Sequence, residues 1–334
     1  MSEGPAIALA LGPLADLLGG DRETELSVTR PAVETIEDMT SQLHDALSGA
    51  QPRVRKRLDP LDPTQLAEKI DDAARLAGID ELVVEGWDAR GPVLAGRRHG
   101  TPIRLVVDGT RRDGLAGDFG EMEGPAARPT WGGDRRLVGE QLAEGVLLFD
   151  LAGLSPLGTG TSDLARAATL LCSPNWQRSA PGSTDLVELI ELVAFERLVP
   201  SLRRARREEL RRGFDRLVEL TRRSGWTLLH GQLGREQLFT SGDGEDAELL
   251  VTGSLELAGS VVFDAASLAW SFVAAGELSL DEALGVVASV TKLNPIKLGI
   301  WAEAMSVLWA SGPKSFELAE EIFAKSLVDD EDAG

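Results

Sequence analysis

Trp226-Thr-Leu-Leu-His-Gly-Gln-Leu-Gly-Arg-Glu-Gln-Leu-Phe239 is the stretch on which the reading of this chain turns. Trp226–Leu229 has the content of a short strand. His230 to Gln237 is a polar loop with two glycines, and Leu238–Thr240 reads as a second strand. An acidic hairpin tip, Asp243-Gly-Glu-Asp246, leads to a strand signal at Leu249–Thr252 and a weaker one at Ser254–Leu255. Val262-Phe-Asp-Ala-Ala-Ser-Leu-Ala-Trp270 then opens a helix, and the carboxylate of Asp264 near its start reads as a cap.

Outward from this stretch the periodicity separates two kinds of structure. Helical spacing dominates the C-terminal side, at about 161–172, 184–224, 279–291, 295–311 and 313–327. On the N-terminal side, Glu81–Glu85, Gly91–Ala95 and Thr101–Val107 are β-rich runs split by turn residues, which predicts an antiparallel meander. A further strand is expected at Gly145–Phe149, leading into Asp150-Leu-Ala-Gly153, whereas the glycine-rich 108–136 gives no assignment. Three helical patterns precede the meander, at about 5–18, 31–48 and 62–78, the last starting after Asp62-Pro63. A basic, proline-containing linker at 53–62 separates the second from the third. The expectation is an α+β, two-lobed chain: an N-terminal helical extension (1–79), a small β-rich lobe (80–153), a mainly helical lobe (154–328) and an acidic tail (329–334).

Composition narrows the function. Of 334 residues, 34 are Lys or Arg and 54 are Asp or Glu, a net charge of −20. Such an excess of acid argues against general nucleic-acid binding and against an anionic membrane surface, since phosphate binding needs cations. One cysteine, Cys172, cannot form an internal disulfide, and three scattered histidines (His44, His99, His230) show no ligand spacing, so no metal site is expected. The apolar run Ala6–Leu18 lacks a basic flank and is too short to span a bilayer, so a cytoplasmic protein is expected.

The order strand, His-Gly loop, hairpin and helix resembles the catalytic segment of the aminoglycoside phosphotransferase and choline-kinase-like family of small-molecule kinases. That loop reads His-Gly-Asp-Leu-His-x-x-Asn, followed by an Ile-Asp-Trp-Glu element and a helix beginning near Phe-Asp-Leu-Ala. Gly145-Val-Leu-Leu-Phe-Asp-Leu-Ala-Gly153 is similar to the family's interlobe strand, and the resemblance spans roughly 80–327. It implies a protein-kinase-like fold with a small antiparallel β lobe and a larger helical lobe.

Carried over position by position, the resemblance implies lost chemistry. His230 and Gly231 match, but Gln232 stands at the catalytic Asp position, Gln237 at the metal-binding Asn position and Ser254 at the metal-binding Asp position. Phosphoryl transfer needs a carboxylate to orient the attacking hydroxyl and oxygen ligands to hold magnesium, and a glutamine amide neither takes a proton nor brings charge. The family's phosphate-holding lysine would fall on strand 101–107, which offers Arg104, and the chain has no lysine between Lys69 and Lys292. Arg104 reads as a surface residue. It, Asp150 and Ser254 are the weak cofactor-site candidates, and Glu121 or Glu123 could stand in for the helix glutamate that partners the phosphate-holding lysine in the resembled family. No cofactor is expected. The function implied is a pseudokinase acting as a binding, scaffold or regulatory subunit. Two alternatives stay open. One is an active phosphotransferase using ATP and magnesium with displaced acids, Glu236 or Glu256; the other is a structural component of a larger assembly.

Segment 201–223 holds nine arginines against four acids, with Leu198, Leu202, Leu210, Phe214 and Leu217 on an apolar face. It reads as a solvated amphipathic helix with internal ion pairs. The sharper reading makes Arg203, Arg204, Arg207 and Arg211 a docking surface for a protein partner or a second copy. Ile300, Trp301, Met305, Leu308 and Trp309 are spaced as helix-core residues.

Overall fold

The computed structural model of the chain describes residues 59–60, 63–87, 92–107, 110–111, 137, 139–143, 145–172, 186–187, 190, 204–225, 227–231, 233–242, 247–252, 257–310, 318–319 and 321–325. The helical patterns expected at 5–18 and 31–48 lie outside them. Asp59–Pro60 (β1) pairs antiparallel with Thr110–Arg111, so the end of the supposed 53–62 linker takes part in a two-stranded ribbon. Helix α1 runs from Pro63 to Ala77 and starts at the proline, whose missing N–H has no helix partner to lose in the first turn. Its buried residues Ile70, Ala73, Ala74 and Ala77, spaced three and four apart, form one apolar stripe.

That stripe packs on a five-stranded antiparallel sheet built from Ile79–Trp87 (β2), Pro92–Arg98 (β3), Thr101–Val107 (β4), Glu140–Ala143 (β6) and Val146–Asp150 (β7), with Thr110–Arg111 as β5. The order is β2-β3-β4-β7-β6. The meander expected from the sequence is therefore present, and β4 has the bounds its apolar run suggests. Alternation gives the sheet two buried faces. Ile103, Leu105 and Val107, with Leu148 and Val146 opposite the last two, face the α1 core, while Val106, Leu147 and Phe149 form a second small cluster with Leu137 and Leu151. Helix α1 thus shares the sheet's apolar core.

The chain then crosses into the helical part through Leu154–Pro156 (β8). Helix α2 covers Thr161–Ala168, continued by a 3₁₀ turn to Cys172, and helix α3 covers Arg204–Arg222. Thr227–Leu229 (β9), Leu238–Ser241 (β10), Glu248–Val251 (β11) and Leu257–Gly259 (β12) follow, with β12 on β9 and β10 between β11 and β8. Helices Val261–Ala274 (α4), Leu280–Thr291 (α5) and Pro295–Ala310 (α6) complete this lobe, and residues 318–319 and 321–325 are helical as well. The plan is α+β in two lobes, as the sequence leads one to expect.

Helix α4 is buried from Val262 to Phe272, which matches a segment apolar on nearly every face. Trp270, Trp301 and Trp309 are each at most 1% exposed and anchor the helical core. Ile300, expected in that core, is instead 41% exposed; it lies on the outer side of α6, one residue before the buried Trp301. Ser279 starts α5 with a capping box: its Oγ accepts from the Glu282 amide at 3.3 Å while the Glu282 carboxylate accepts from the Ser279 amide at 3.0 Å. Among the described residues no helix is long and apolar enough to cross a membrane.

Close approach of α3 to α6 depends on Gly213. A Cβ there would lie 2.6 Å from Phe323 Cε2 and 2.8 Å from Val307 Cγ2, both buried. Gly213→Ala should therefore lower stability by about 1–3 kcal/mol through overpacking, despite alanine's better helix propensity. Urea unfolding of the variant checks this, and a gain in stability would mean that α3 shifts freely.

Candidate functional site

The loop after β9 is fixed first by Asp264. This carboxylate, in the first turn of α4 and fully buried, accepts from the His230 amide at 2.7 Å through Oδ2 and from the Gly231 amide at 2.9 Å through Oδ1. Gly231 has φ +83°, a region that side-chain-bearing residues rarely adopt, so the turn following His230 needs glycine. Asp264 does not cap its own helix. Ser260 does, accepting from the Val262 amide, and the cap expected of Asp264 is made instead on a loop more than thirty residues earlier. Burial pushes the Asp264 carboxyl from its ordinary 3.8 up to about 7, with the two amides pulling the other way.

His230 is buried too, and its Nε2 lies 2.8 Å from the Thr252 carbonyl. A carbonyl only accepts, so Nε2 carries the proton and donates it inward. At that nitrogen the imidazole is a strut between the loop and the end of β11.

The rest of the loop is pinned from four sides. Arg235 N donates to Ser271 Oγ on α4 at 3.0 Å, and Arg235 Nη1 donates to the Leu157 carbonyl beyond β8 at 3.1 Å. From the sheet, Arg104 Nη1 on β4 donates to the Glu236 carbonyl at 3.1 Å. Just past β11, the Thr252 amide donates to the Gln237 carbonyl at 2.9 Å. Gln237 turns its side chain back on the loop, where Oε1 accepts from the Gly234 amide at 3.1 Å. Residues 235–237 form a single 3₁₀ turn held in this frame.

The residues singled out from the sequence fare differently. His230, Gln237 and Arg104 come together around the loop. Arg104 is not a surface residue: it is part-buried, and its guanidinium sits 5.4 Å from the Phe239 ring centroid. Asp150 is exposed at the end of β7, where its Oδ1 accepts from the Ala152 amide at 2.8 Å and shapes the interlobe turn. Gln232, Ser254, Glu256, Glu121, Glu123 and Arg203 lie outside the described residues. Arg204 and Arg207 lie on α3, and exposed Arg211 pairs with Glu208 at 3.3 Å, one helical turn away. Arg223 pairs similarly with Glu219, and Arg216 reaches Glu303 on α6 at 3.8 Å. These are exposed or half-exposed pairs of small individual worth. Among the described residues no three His, Cys, Asp or Glu side chains come together as a metal site.

No family model matches the sequence, and no curated protein matches it. Among solved structures, the choline kinase LicA from Streptococcus pneumoniae is similar over 77% of this chain and 99% of its own, at 12% identity and a TM-score of 0.49. LicA in complex with AMP gives 0.47 over 77% of this chain and 96% of its own, again at 12% identity. A choline/ethanolamine kinase family protein from Mesorhizobium loti is similar over 77% of this chain and 92% of its own, at 14% identity and a TM-score of 0.47. Likeness at this level says nothing of what this chain binds or does.

Proposed function

We propose that this is a kinase-like protein without phosphotransfer activity, which works by binding: a scaffold or regulatory subunit for a protein partner. What supports the reading is that three polar side chains of loop 230–237 bond to the protein's own backbone. His230 braces Thr252, Gln237 closes on Gly234, and Arg235 reaches Leu157. A site for phosphoryl transfer needs carboxylate and metal-binding oxygens turned outward over a nucleotide. Gln232 and Gln237 offer amides at the two loop positions where the resembled family has acid and asparagine, and Ser254 offers a hydroxyl at the third. The displaced-acid alternative fares poorly at Glu236, because both its carboxylate oxygens are buried from solvent, whereas a general base must come within hydrogen-bond reach of the proton it takes.

The expected result is no magnesium-dependent ATP turnover with choline, aminoglycosides or sugars, and no rise in melting temperature on adding ATP with magnesium. Gln232→Asp alone should not restore turnover, since no anionic metal ligand returns with it. Turnover at about 1–100 s⁻¹, in the ordinary range of kinases, would overturn the reading. Co-purification from the source cells, read by mass spectrometry, would identify the partner.

A further inference from the structure

We infer that Arg104 is an interlobe latch, which fastens the β sheet to the loop after β9 and holds the two lobes in one closed arrangement. The inference rests on the geometry of Arg104 and does not depend on whether phosphotransfer has been lost.

Among the described residues the chain passes from the sheet to the helical part at 151–157. That crossing is a tight turn: the Leu154 amide donates to the Leu151 carbonyl at 3.1 Å, and Gly153 takes φ +67°. Such a turn can act as a hinge only as far as the contacts across it allow; the Leu137 amide beside the sheet donates to the Val251 carbonyl on β11 at 2.9 Å, and buried apolar residues of both parts form one cluster. Arg104 supplies a contact between residues 132 apart in sequence, through a charge-assisted bond to the Glu236 carbonyl. It does so from the face of β4 opposite the α1 core, beside Phe149 in register, and its guanidinium lies over Phe239 at the start of β10. One planar cation therefore grips both ends of the 236–239 segment. The grip needs the guanidinium's shape as well as its charge, because a lysine ammonium has neither the fork nor the flat face.

Two neighbouring bonds place the latch at a point of leverage. The Leu151 amide donates to the Pro102 carbonyl at 3.1 Å, tying the hinge turn to the same strand that carries Arg104. The Leu157 carbonyl accepts from Arg235, so the far end of the crossing is held by the residue just before Glu236. Strand β4, the crossing segment and the 235–237 turn thus form a closed circuit, and Arg104 is the link that joins its sheet side to its loop side.

Native-state hydrogen exchange on the full chain tests this. Arg104→Met keeps the apolar stem and removes the fork. It should raise exchange about tenfold or more at the amides of 234–240 and 151–157, the segments the circuit holds. Arg97→Ala serves as control, because Arg97 also donates to a carbonyl, that of Gly100, at the exposed β3–β4 turn. That variant should leave 234–240 unchanged. Arg104→Lys should resemble Arg104→Met. Phe239→Leu, which removes only the stacking surface, should speed the same amides by a smaller factor and keeps the test open if Arg104→Met folds poorly. Exchange at 234–240 that is equal in Arg104→Met and Arg97→Ala would overturn the latch. So would protection of the wild type by ATP or inorganic triphosphate that vanishes in Arg104→Met and returns in Arg104→Lys, since that pattern belongs to a phosphate ligand.

Discussion

Asp264→Ala should destabilise the protein by about 2–6 kcal/mol, because it strands two buried amides at about 1–3 kcal/mol each. Both oxygens of the carboxylate are in use, one on His230 N and one on Gly231 N, and the site is fully buried, so no solvent can replace them. The damage should centre on the turn at Gly231 and spread along the loop to β10. Urea unfolding at about pH 6 measures it, and a loss below about 1 kcal/mol would mean that the loop finds other acceptors.

The same residue makes a pH prediction whose sign differs from that of most carboxylates. Its folded value, about 7, lies above its unfolded 3.8, so the native state holds this proton more tightly. Stability from Asp264 is therefore fully present below the unfolded value and lost as pH rises through about 7. Glu282 and Glu321, whose values are lowered by Ser279 and Lys325 respectively, act in the opposite sense. Comparing wild type with Asp264→Asn, which does not titrate, separates the two trends. Between about pH 5.5 and 8.5 the wild type should lose stability relative to the variant. A difference that stays flat would mean that the two amides keep the carboxylate ionised throughout.

How much of this could be read from the sequence depends on where each element gets its stability. Thr101–Val107 and Val146–Asp150 are apolar, β-branched runs that bury side chains on both faces, and they stand out unaided. Helices α1 and α5 announce themselves by Pro63 and by the Ser279–Glu282 box. Glu140–Ala143, Leu154–Pro156 and Leu257–Gly259 are short segments without that signal, and they become strands because β7, β10 and β9 offer them an edge. The site shows the same division. The His230-Gly231 turn is local and legible. The partner of Asp264 is a tertiary fact: a carboxylate in a helix's first turn looks like a cap, and no spacing rule points it at a loop more than thirty residues back. Arg104 misled for a related reason. Flanked by Ile103 and Leu105, it alternates outward, and outward normally means solvent. Here the outer face of β4 meets the 236–239 segment.

Trp270→Ala should cost about 3–5 kcal/mol, the range for emptying a large aromatic site that cannot collapse. Trp270 is 1% exposed at the middle of the buried helix α4, and two separate contacts hold it to α6. Its Nε1 donates to the Ala302 carbonyl at 2.9 Å, and its ring stacks on Trp309 with centroids 5.9 Å apart and planes at 22°. Trp270→Phe keeps an aromatic ring in the site and removes the donor, so it should cost less, about 1–2 kcal/mol. The two variants therefore separate volume from hydrogen bonding. Trp309→Ala should be similarly damaging alone, but the double variant should lose less than the sum, by about 0.5–1.5 kcal/mol for the lost pair. Urea unfolding followed by far-UV circular dichroism gives all four stabilities, and the single-variant losses should appear in the helical transition. Strict additivity would mean that α4 and α6 are held by area alone and that the stacked geometry contributes nothing beyond it.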